Sequence, residues 1–139
     1  MRVTAEVTRE LYLPRELVFD AWTQSEHLAQ WYVPADCRVG EVVVEPVPGG
    51  RFEIGWTDNA GRDVCEVGRF AEITAPERFV CRMSSGGGDA GVGGSLLRLE
   101  LSDQVDACSI VLHEEGGAGS AGESWEDRLD RLEAYFSAI

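Results

Sequence analysis

Alternating apolar and polar side chains mark the start of the chain. From residue 3 to residue 13 nearly every second side chain is apolar, and Arg9 is the charged exception on that face. A period of two predicts a β-strand with one buried face. Arg9 is therefore expected to face the covered side, where an unpaired charge is costly.

Two short helices are predicted after this strand. Pro14 stands where a missing backbone N–H costs a helix least. A second helix carries Leu28 and Trp31 and ends before Pro34. The apolar stripe of the first helix is expected at Leu17, Val18, Ala21 and Trp22.

From about residue 36 to residue 115 the pattern is that of successive strands. Short separators of Gly, Pro, Asn and Asp punctuate it, and such short connections favour antiparallel hairpins. Alternation leaves charged side chains for a solvated face. The strands are predicted at Val42–Val44, Arg51–Trp56, Arg62–Ile73, Arg78–Met83, Ser95–Leu101 and Ala107–His113. The predicted covered face consists of Phe52, Ile54, Trp56, Phe79, Cys81, Met83, Leu97, Leu99 and Leu101.

The C-terminal segment supplies a helix to cover this face. Apolar side chains recur there at steps of four and three residues, with charged residues, Arg128 among them, in between. Ser124 is the expected N-cap. The predicted stripe is Trp125, Leu129, Leu132, Phe136 and Ile139. The elements predict one α+β domain over residues 1–139, a helix-grip fold in which a curved antiparallel sheet of about six to seven strands wraps a long C-terminal helix.

Two segments are rich in glycine. Residues 84–94 and 114–122 together hold ten of the 16 glycines, which predicts flexible connections. Ordinary mobile loops and the rim of a cavity mouth are both open interpretations.

The charge balance excludes some partners. The chain has 12 basic residues, all Arg, against 25 acidic ones, for a net charge of −13. Phosphate backbones and anionic bilayers repel such a surface. The arginines are scattered singly along the sequence, so no basic cluster is expected, and neither a nucleic acid nor a membrane is a predicted partner.

The cysteines give no sign of a metal or redox centre. Cys37, Cys65, Cys81 and Cys108 form no C-x-x-C pair, and we expect small buried thiols in a reducing compartment. The N-terminus has no signal-peptide pattern, and no apolar run approaches a membrane span. A cytoplasmic protein without metal or cofactor is predicted.

Four stretches carry a resemblance to a known family. Residues 9–34, RELYLPRELVFDAWTQSEHLAQWYVP, combine an Arg near the strand end, a Pro-x-Glu helix start and a Leu-x-x-Trp close to a Pro. Residues 45–52, EPVPGGRF, residues 68–79, GRFAEITAPERF, and the Ser-Trp start of the last helix extend the match over nearly the whole chain. The chain here resembles the Hsp90-ATPase-activator-like (AHSA1-like) proteins of the START-like (SRPBCC, Bet v 1-like) superfamily. Val47 and Ser124 depart from the family pattern, which often has Arg and Gly there.

The resemblance implies a helix gripped by a curved sheet, often with an apolar cavity between them for a lipid-like or aromatic molecule. It implies no shared reaction, since members range from carriers to cyclases to chaperone regulators. Binding of a small hydrophobic or amphipathic molecule is the leading hypothesis. The alternatives are a protein-interaction module that regulates an Hsp90-type chaperone or another partner, and a cyclase- or hydrolase-like enzyme using His113 with Glu114 or Glu115. A homodimer is also left open.

Few residues are candidates for chemistry, and no catalytic residue is assigned. His27 lies in a polar helix turn and is expected to be solvated. His113 ends a predicted strand, either exposed or at a cavity rim, depending on register. Arg9 is expected to pair with Glu66 or Glu72, with a ligand headgroup as the less favoured partner. The candidate ligand-binding residues are Arg9, Trp31, Trp56, Phe70, Met83, His113, Trp125 and Phe136; a plain core explains the large aromatic ones equally well.

Overall fold

A computed structural model of the chain describes residues 4–85, 95–115 and 125–137. The predicted order of one strand, two short helices, six strands and a final helix is confirmed. The elements are β1 (Thr4–Leu11), α1 (Arg15–Thr23), α2 (Ser25–Trp31), β2 (Arg38–Val44), β3 (Arg51–Thr57), β4 (Asp63–Thr74), β5 (Arg78–Ser85), β6 (Ser95–Gln104), β7 (Ala107–Glu115) and α3 (Trp125–Ser137).

The strands form one antiparallel sheet in the order β1-β7-β6-β5-β4-β3-β2. Strands β2 to β7 follow one another as hairpin neighbours, and β1 closes the row by pairing with β7. Register shifts interrupt β2 between Val39 and Val42 and β4 between Phe70 and Glu72. Bulges of this kind bend a strand and increase its twist. The sheet is a curled half-barrel, which confirms the predicted helix-grip fold.

One face of the sheet is covered and the other is solvated. In β3 the burial alternates residue by residue, with Phe52, Ile54 and Trp56 buried. All nine apolar side chains predicted for the covered face are buried. Strand periodicity therefore located the core of the sheet correctly.

The apolar stripe of α1 differs from the prediction at two positions. Val18, Ala21 and Trp22 are buried as expected, but Leu17 is 46% exposed and Phe19 is buried instead. The centre of the stripe lies at Val18 and Trp22, so positions 17 and 19 flank it on opposite sides. Phe19 is on the side that faces the sheet, where its ring contacts that of Phe79 edge-on, with the ring centroids 6.4 Å apart.

Helix α3 lies against the covered face with Trp125, Leu129 and Leu132 buried. Assigning Arg128 to the charged side was wrong, because its side chain is fully buried. Position 128 is three residues after Trp125 and four before Leu132, which puts it inside the stripe. Ser124, the predicted N-cap, and Ile139 lie outside the described residues.

The prediction of flexible connections was wrong at the start of both glycine-rich segments. β5 extends through Ser85 and β7 through Glu115, so the first residues of both segments are strand. The remainder of both segments lies outside the described residues. Within the described ranges, none of the helices has both the length and the apolar character needed to cross a bilayer.

Candidate functional site

Five polar or amphipathic side chains meet beneath α3 and form what we call the buried polar cluster. Tyr32 follows α2, Glu66 comes from β4, Glu114 from β7, and Trp125 and Arg128 from α3. Their exposed fractions range from 0% for Arg128 and Tyr32 to 7% for Glu114. Charged residues are almost never buried this completely unless they are paired.

Arg128 is the centre of the cluster. Its Nη2 donates to Glu66 Oε2 at 2.8 Å, and the Tyr32 hydroxyl donates to Glu66 Oε1 at 2.8 Å. The guanidinium carbon also lies 4.2 Å from the centroid of the Tyr32 ring and 4.8 Å from that of Trp125. Arg128 is thus held by a carboxylate and by two aromatic faces, an arrangement that suits a planar, weakly hydrated cation.

Glu114 forms the second half of the cluster. Its Oε1 accepts a hydrogen bond from Trp125 Nε1 at 3.1 Å, and its Oε2 accepts one from the Ser95 hydroxyl at 3.2 Å. Alternation along β7 places Glu114 on the same face as the buried Leu112. The strand period therefore carries an acidic residue into the interior.

Burial governs the chemistry of Tyr32. Loss of water around the ring raises the pKa of the phenol well above 10.0, although the nearby Arg128 charge acts in the opposite direction. Desolvation disfavours the phenolate. Tyr32 therefore remains a neutral hydrogen-bond donor at physiological pH.

Trp22 borders the cluster and brings a further donor. Its ring lies 5.9 Å from that of Trp125 and 6.3 Å from that of Tyr32, and its side chain has no exposed surface. The Trp22 Nε1 has no hydrogen-bond partner among the described residues. Buried polar atoms usually have a hydrogen-bond partner, so an acceptor that does not belong to the described residues fits opposite this N–H group.

Most of the predicted ligand-binding residues lie in the interior. Trp31, Trp56, Phe70, Met83 and Trp125 are all buried. Trp31 Nε1 is already used, because it donates to the Ala21 carbonyl at 3.0 Å. Phe136 is partly buried and lines a groove of about 190 Å³ with Leu11, Leu13 and Glu133.

His113 is separated from these residues. It lies on the solvated face of β7, and its Nδ1 is 2.8 Å from Arg98 Nη2. The next residue, Glu114, faces the interior, so His113 and Glu114 are on opposite sides of the sheet. The structure does not bring these two residues together as an acid–base pair.

The partners expected for Arg9 were wrong. Arg9 Nη1 contacts Asp130 Oδ1 at 2.7 Å and Glu133 Oε1 at 3.1 Å, both on α3. Of the expected partners, Glu66 is bound by Arg128 and Tyr32, and Glu72 pairs with Arg78 on the solvated face. Arg9 does face the covered side, but there it meets the acidic flank of α3.

The prediction of a solvated His27 was also wrong. Its Nδ1 lies 2.6 Å from the Tyr135 hydroxyl, and the pair joins α2 to α3. No group of three or more His, Cys, Asp or Glu side chains in the described ranges is arranged to hold a metal ion.

Sequence reasoning did not include Glu66, Glu114 and Arg128, the three charged members of the cluster, in the predicted ligand site. It named Glu66 only as a partner of Arg9 and Glu114 only as a partner of His113. The signal for each was periodicity. On β4, Glu66 shares the buried face with Gly68 and Phe70, which follow it by two and four residues. On β7, Glu114 likewise lies two residues after the buried Leu112. Of these three, only Arg128 had been assigned to the charged side of its element because of its charge.

Comparison with known proteins agrees with this architecture. A protein of Rhodobacter sphaeroides superposes with a TM-score of 0.82 at 20% identity, over 98% of this chain and 93% of that one. A Chromobacterium violaceum protein gives 0.79 at 24% identity, over 95% of both chains. The AHSA1 protein of Silicibacter pomeroyi gives 0.78 at 14% identity, over 98% of this chain and 99% of that one. At these identities the likeness shows the fold alone.

Sequence comparison adds the family. No curated protein matches the chain. Residues 12–137, which span all three helices and six of the seven strands in full, match the family described as Activator of Hsp90 ATPase homolog 1-like protein. The chain therefore belongs to the family of Activator of Hsp90 ATPase homolog 1-like proteins.

Proposed function

We propose that the chain binds a small amphipathic molecule between α3 and the covered face of the sheet, with the polar end of that molecule at the buried polar cluster. The observation that carries this proposal is the cluster itself. Groups from α3, β4, β7 and the end of α2 converge there inside an interior that is otherwise apolar. Apolar walls with a few convergent polar groups are the usual composition of a small-molecule site.

Stability alone is a poor reason for such a cluster. Removing two charges from water costs several kcal/mol per ion, and well-packed apolar residues often stabilise a protein as much or more. Binding gives the charges a use. Arg128, Tyr32 and Trp125 donate hydrogen bonds to Glu66 and Glu114, and Trp22 Nε1, which has no partner among the described residues, is a donor that a ligand can use. A hydroxyl, carbonyl or carboxyl group on a hydrophobic body matches this set of donors and acceptors.

A ligand panel tests the proposal. Fatty acids, flavonoid-like aromatics and an apolar dye are titrated while tryptophan fluorescence and the melting temperature are followed, because a ligand of the native state raises the melting temperature. Trp22 and Trp125 border the proposed site, so a ligand there changes their emission. Absence of any effect across the panel, in a folded sample, would count against the proposal.

A matched pair of variants locates the site. Glu114→Gln keeps the size of the side chain and removes its charge inside the cluster, whereas Glu115→Gln makes the same change at the next residue, which is not fully buried. We expect Glu114→Gln to weaken binding by about tenfold or more, since a hydrogen bond to a buried charged group is worth about 1.5–3 kcal/mol. Glu115→Gln is expected to bind as the parent does.

The cytoplasm is the compartment that fits this proposal. All four cysteines are free thiols. Such thiols are typical of a reducing environment.

A protein partner is the second candidate function, and one observation favours it. Tyr12 is 79% exposed and Val105 is 92% exposed. Tyr12 lines a groove of about 360 Å³ together with Gln104 and Asp106, the neighbours of Val105. Exposed apolar groups beside a groove are typical of interaction sites. If this surface contacts an Hsp90-type chaperone, then replacing Tyr12 and Val105 by Ser abolishes capture of the chaperone and any change in its ATPase rate.

A further inference from the structure

Three arginines stand side by side on the solvated face of the sheet. The register places Arg51 of β3 opposite Arg69 of β4, and Arg69 opposite Arg82 of β5. Residues directly opposite each other have Cβ atoms about 4.5–5.5 Å apart. The sequence, in which arginines are scattered singly, led us to expect no basic cluster; the strand register assembles one.

The first arginine of the row is neutralised by a neighbour. Arg51 Nε contacts Glu45 Oε1 at 3.3 Å, and the same oxygen accepts from the Arg51 backbone N–H at 3.0 Å. The hydrogen bond from Arg51 lowers the pKa of the Glu45 carboxyl. A tight turn at Gly50 brings the two residues together. The turn requires glycine, because a Cβ at this position would clash with the Glu45 carbonyl oxygen.

Arg69 and Arg82 are not paired in this way, although the charge of Arg69 also contributes to the lowered pKa of the Glu45 carboxyl. Both side chains are exposed, and neither forms an ion pair with a carboxylate of the described residues. Among the described residues, the acceptor for Arg69 Nη1 is the Gly49 carbonyl, at 3.3 Å. Like charges directly opposite each other destabilise a sheet. The pair therefore costs stability, and within the described part of the chain no ion pair with a carboxylate compensates for that cost.

The surroundings of the pair suit a protein segment. Leu96 stands opposite Arg82, and Val67 lies two residues before Arg69 on the same face; both are half-buried. The grooves at Tyr12, Leu13 and Phe136 and around Arg15 and Arg78 do not include either arginine. Small-molecule sites are concave. The exposed side of a sheet that carries two guanidinium groups beside aliphatic side chains is better matched by a peptide.

We propose that Arg69 and Arg82 bind a short acidic segment of a partner protein. Each guanidinium group can donate two parallel hydrogen bonds to one carboxylate, which gives both strength and orientation. Because the net charge of the chain is −13, this basic site is surrounded by a surface that is negative overall. The surrounding negative surface repels long polyanions such as nucleic acids, and it repels anionic membranes. A motif with only one or two carboxylates contacts the basic site alone.

Salt has a characteristic effect on this binding. The Debye length is about 8 Å at physiological ionic strength, so salt screens the distant Asp and Glu residues more than the contacting pair. Association of an acidic peptide is therefore expected to become faster as salt is raised from low concentration. A basic surface binding a polyanion shows the opposite dependence.

The experiment is a titration with labelled peptides followed by fluorescence anisotropy. The probes are a set of short peptides that carry two adjacent Glu residues between Leu residues, and the same set with Gln in place of Glu. We expect the Glu peptides to bind at least tenfold more tightly than the Gln peptides, and Arg69→Gln with Arg82→Gln to remove this preference. Arg38→Gln, the same charge change at an exposed position of β2, is the control and is expected to retain it.

Three results of the peptide titration would overturn the proposal. They are failure of every Glu peptide to bind, equal binding of the Gln peptides, and an equal loss in Arg38→Gln. Phosphatidylserine vesicles competing for the same arginines would point to a membrane partner and equally contradict it. The melting temperature of the Arg69→Gln, Arg82→Gln protein provides a separate readout, which we expect to be no lower than that of the parent; a large drop would identify the pair as structural.

Discussion

The Arg128 side chain has no exposed surface, and its charge is balanced in the interior by a carboxylate and two aromatic rings. Its carboxylate partner Glu66 also accepts a hydrogen bond from the Tyr32 hydroxyl, so the three side chains behave as one unit. In such a unit the loss of one charge leaves the other buried without its counter-ion, and that is more costly than the loss of both.

Replacing Arg128 alone tests this coupling. We expect Arg128→Met to lower the free energy of unfolding by about 3–5 kcal/mol, because Glu66 is left as an uncompensated buried charge. Adding Glu66→Gln is expected to recover part of that loss, since the amide is neutral and still accepts from Tyr32. Urea unfolding of the two single variants and the double variant measures both effects. Additive losses in the double variant would contradict the coupling.

Buried neutral acids make stability depend on pH. Burial raises the pKa of the Cys81 thiol from 9.0 to about 12. The unfolded chain ionises first as the pH increases, so the stability that the neutral thiol contributes is complete below pH 9.0 and is lost toward pH 12. Tyr32 acts in the same direction above pH 10.0.

Alkaline unfolding is the corresponding measurement. Through Cys81 alone, we expect the free energy of unfolding to fall by about 2 kcal/mol between about pH 9 and about pH 10.5. Cys81→Ala is expected to show a smaller fall over the same range, whatever its absolute stability. An identical pH dependence in this variant would mean that the Cys81 thiol is not protected by the fold.

At the scale of elements, α3 is attached by polar contacts at both sides as well as by its apolar stripe. Arg9 of β1 holds Asp130 and Glu133 on one side. Arg131 donates to the carbonyls of Trp31 and Tyr32 on the other, at 2.9 and 3.1 Å. Those carbonyls belong to the C-terminal end of α2, where a cation is favourable.

The contacts of Arg9 are expected to hold α3 in place without contributing much to global stability. Asp130 and Glu133 are 67% and 48% exposed, and exposed ion pairs are worth at most about 1 kcal/mol. Arg9→Met should therefore change the free energy of unfolding by less than about 1 kcal/mol, and hydrogen exchange of α3 amides should become faster. Loss of ligand binding at unchanged α3 exchange would instead identify Arg9 as a ligand contact.

The elements themselves were predictable because each has a clear period. Alternation identified the strands, and steps of three and four residues identified α3, so the order of elements is confirmed. The exceptions have a common cause. Arg128 and Glu114 occupy positions that the period makes internal, but Arg128 was assigned to the surface because of its charge and Glu114 to a flexible segment. The partners that make their burial tolerable come from distant parts of the chain. Single-element patterns contain no information about such partners.

Strand register determines the remaining features of the molecule. The juxtaposition of Arg69 and Arg82, residues 13 positions apart, arises only when β4 and β5 pair as they do. Register also places His113 outside and Glu114 inside. Both consequences depend on turn and bulge geometry, which the apolar pattern does not fix.

At the scale of the whole molecule, the fold separates two kinds of charge. Most of the excess acidic charge is on the surface, while Glu66, Glu114 and Arg128 are enclosed beneath α3. Membership of the Activator of Hsp90 ATPase homolog 1-like family leaves the function open, because one fold supports many functions. The enclosed charges are therefore the best guide to what this particular chain binds.

A crystal structure of the protein grown with the tightest-binding compound of the panel tests this most directly. We predict density for the compound beneath α3, with a polar atom within about 3 Å of Arg128, Glu66 or Glu114. Density only on the outside of the molecule, with the hydrogen bonds among Tyr32, Glu66 and Arg128 unchanged, would contradict a binding site in the interior.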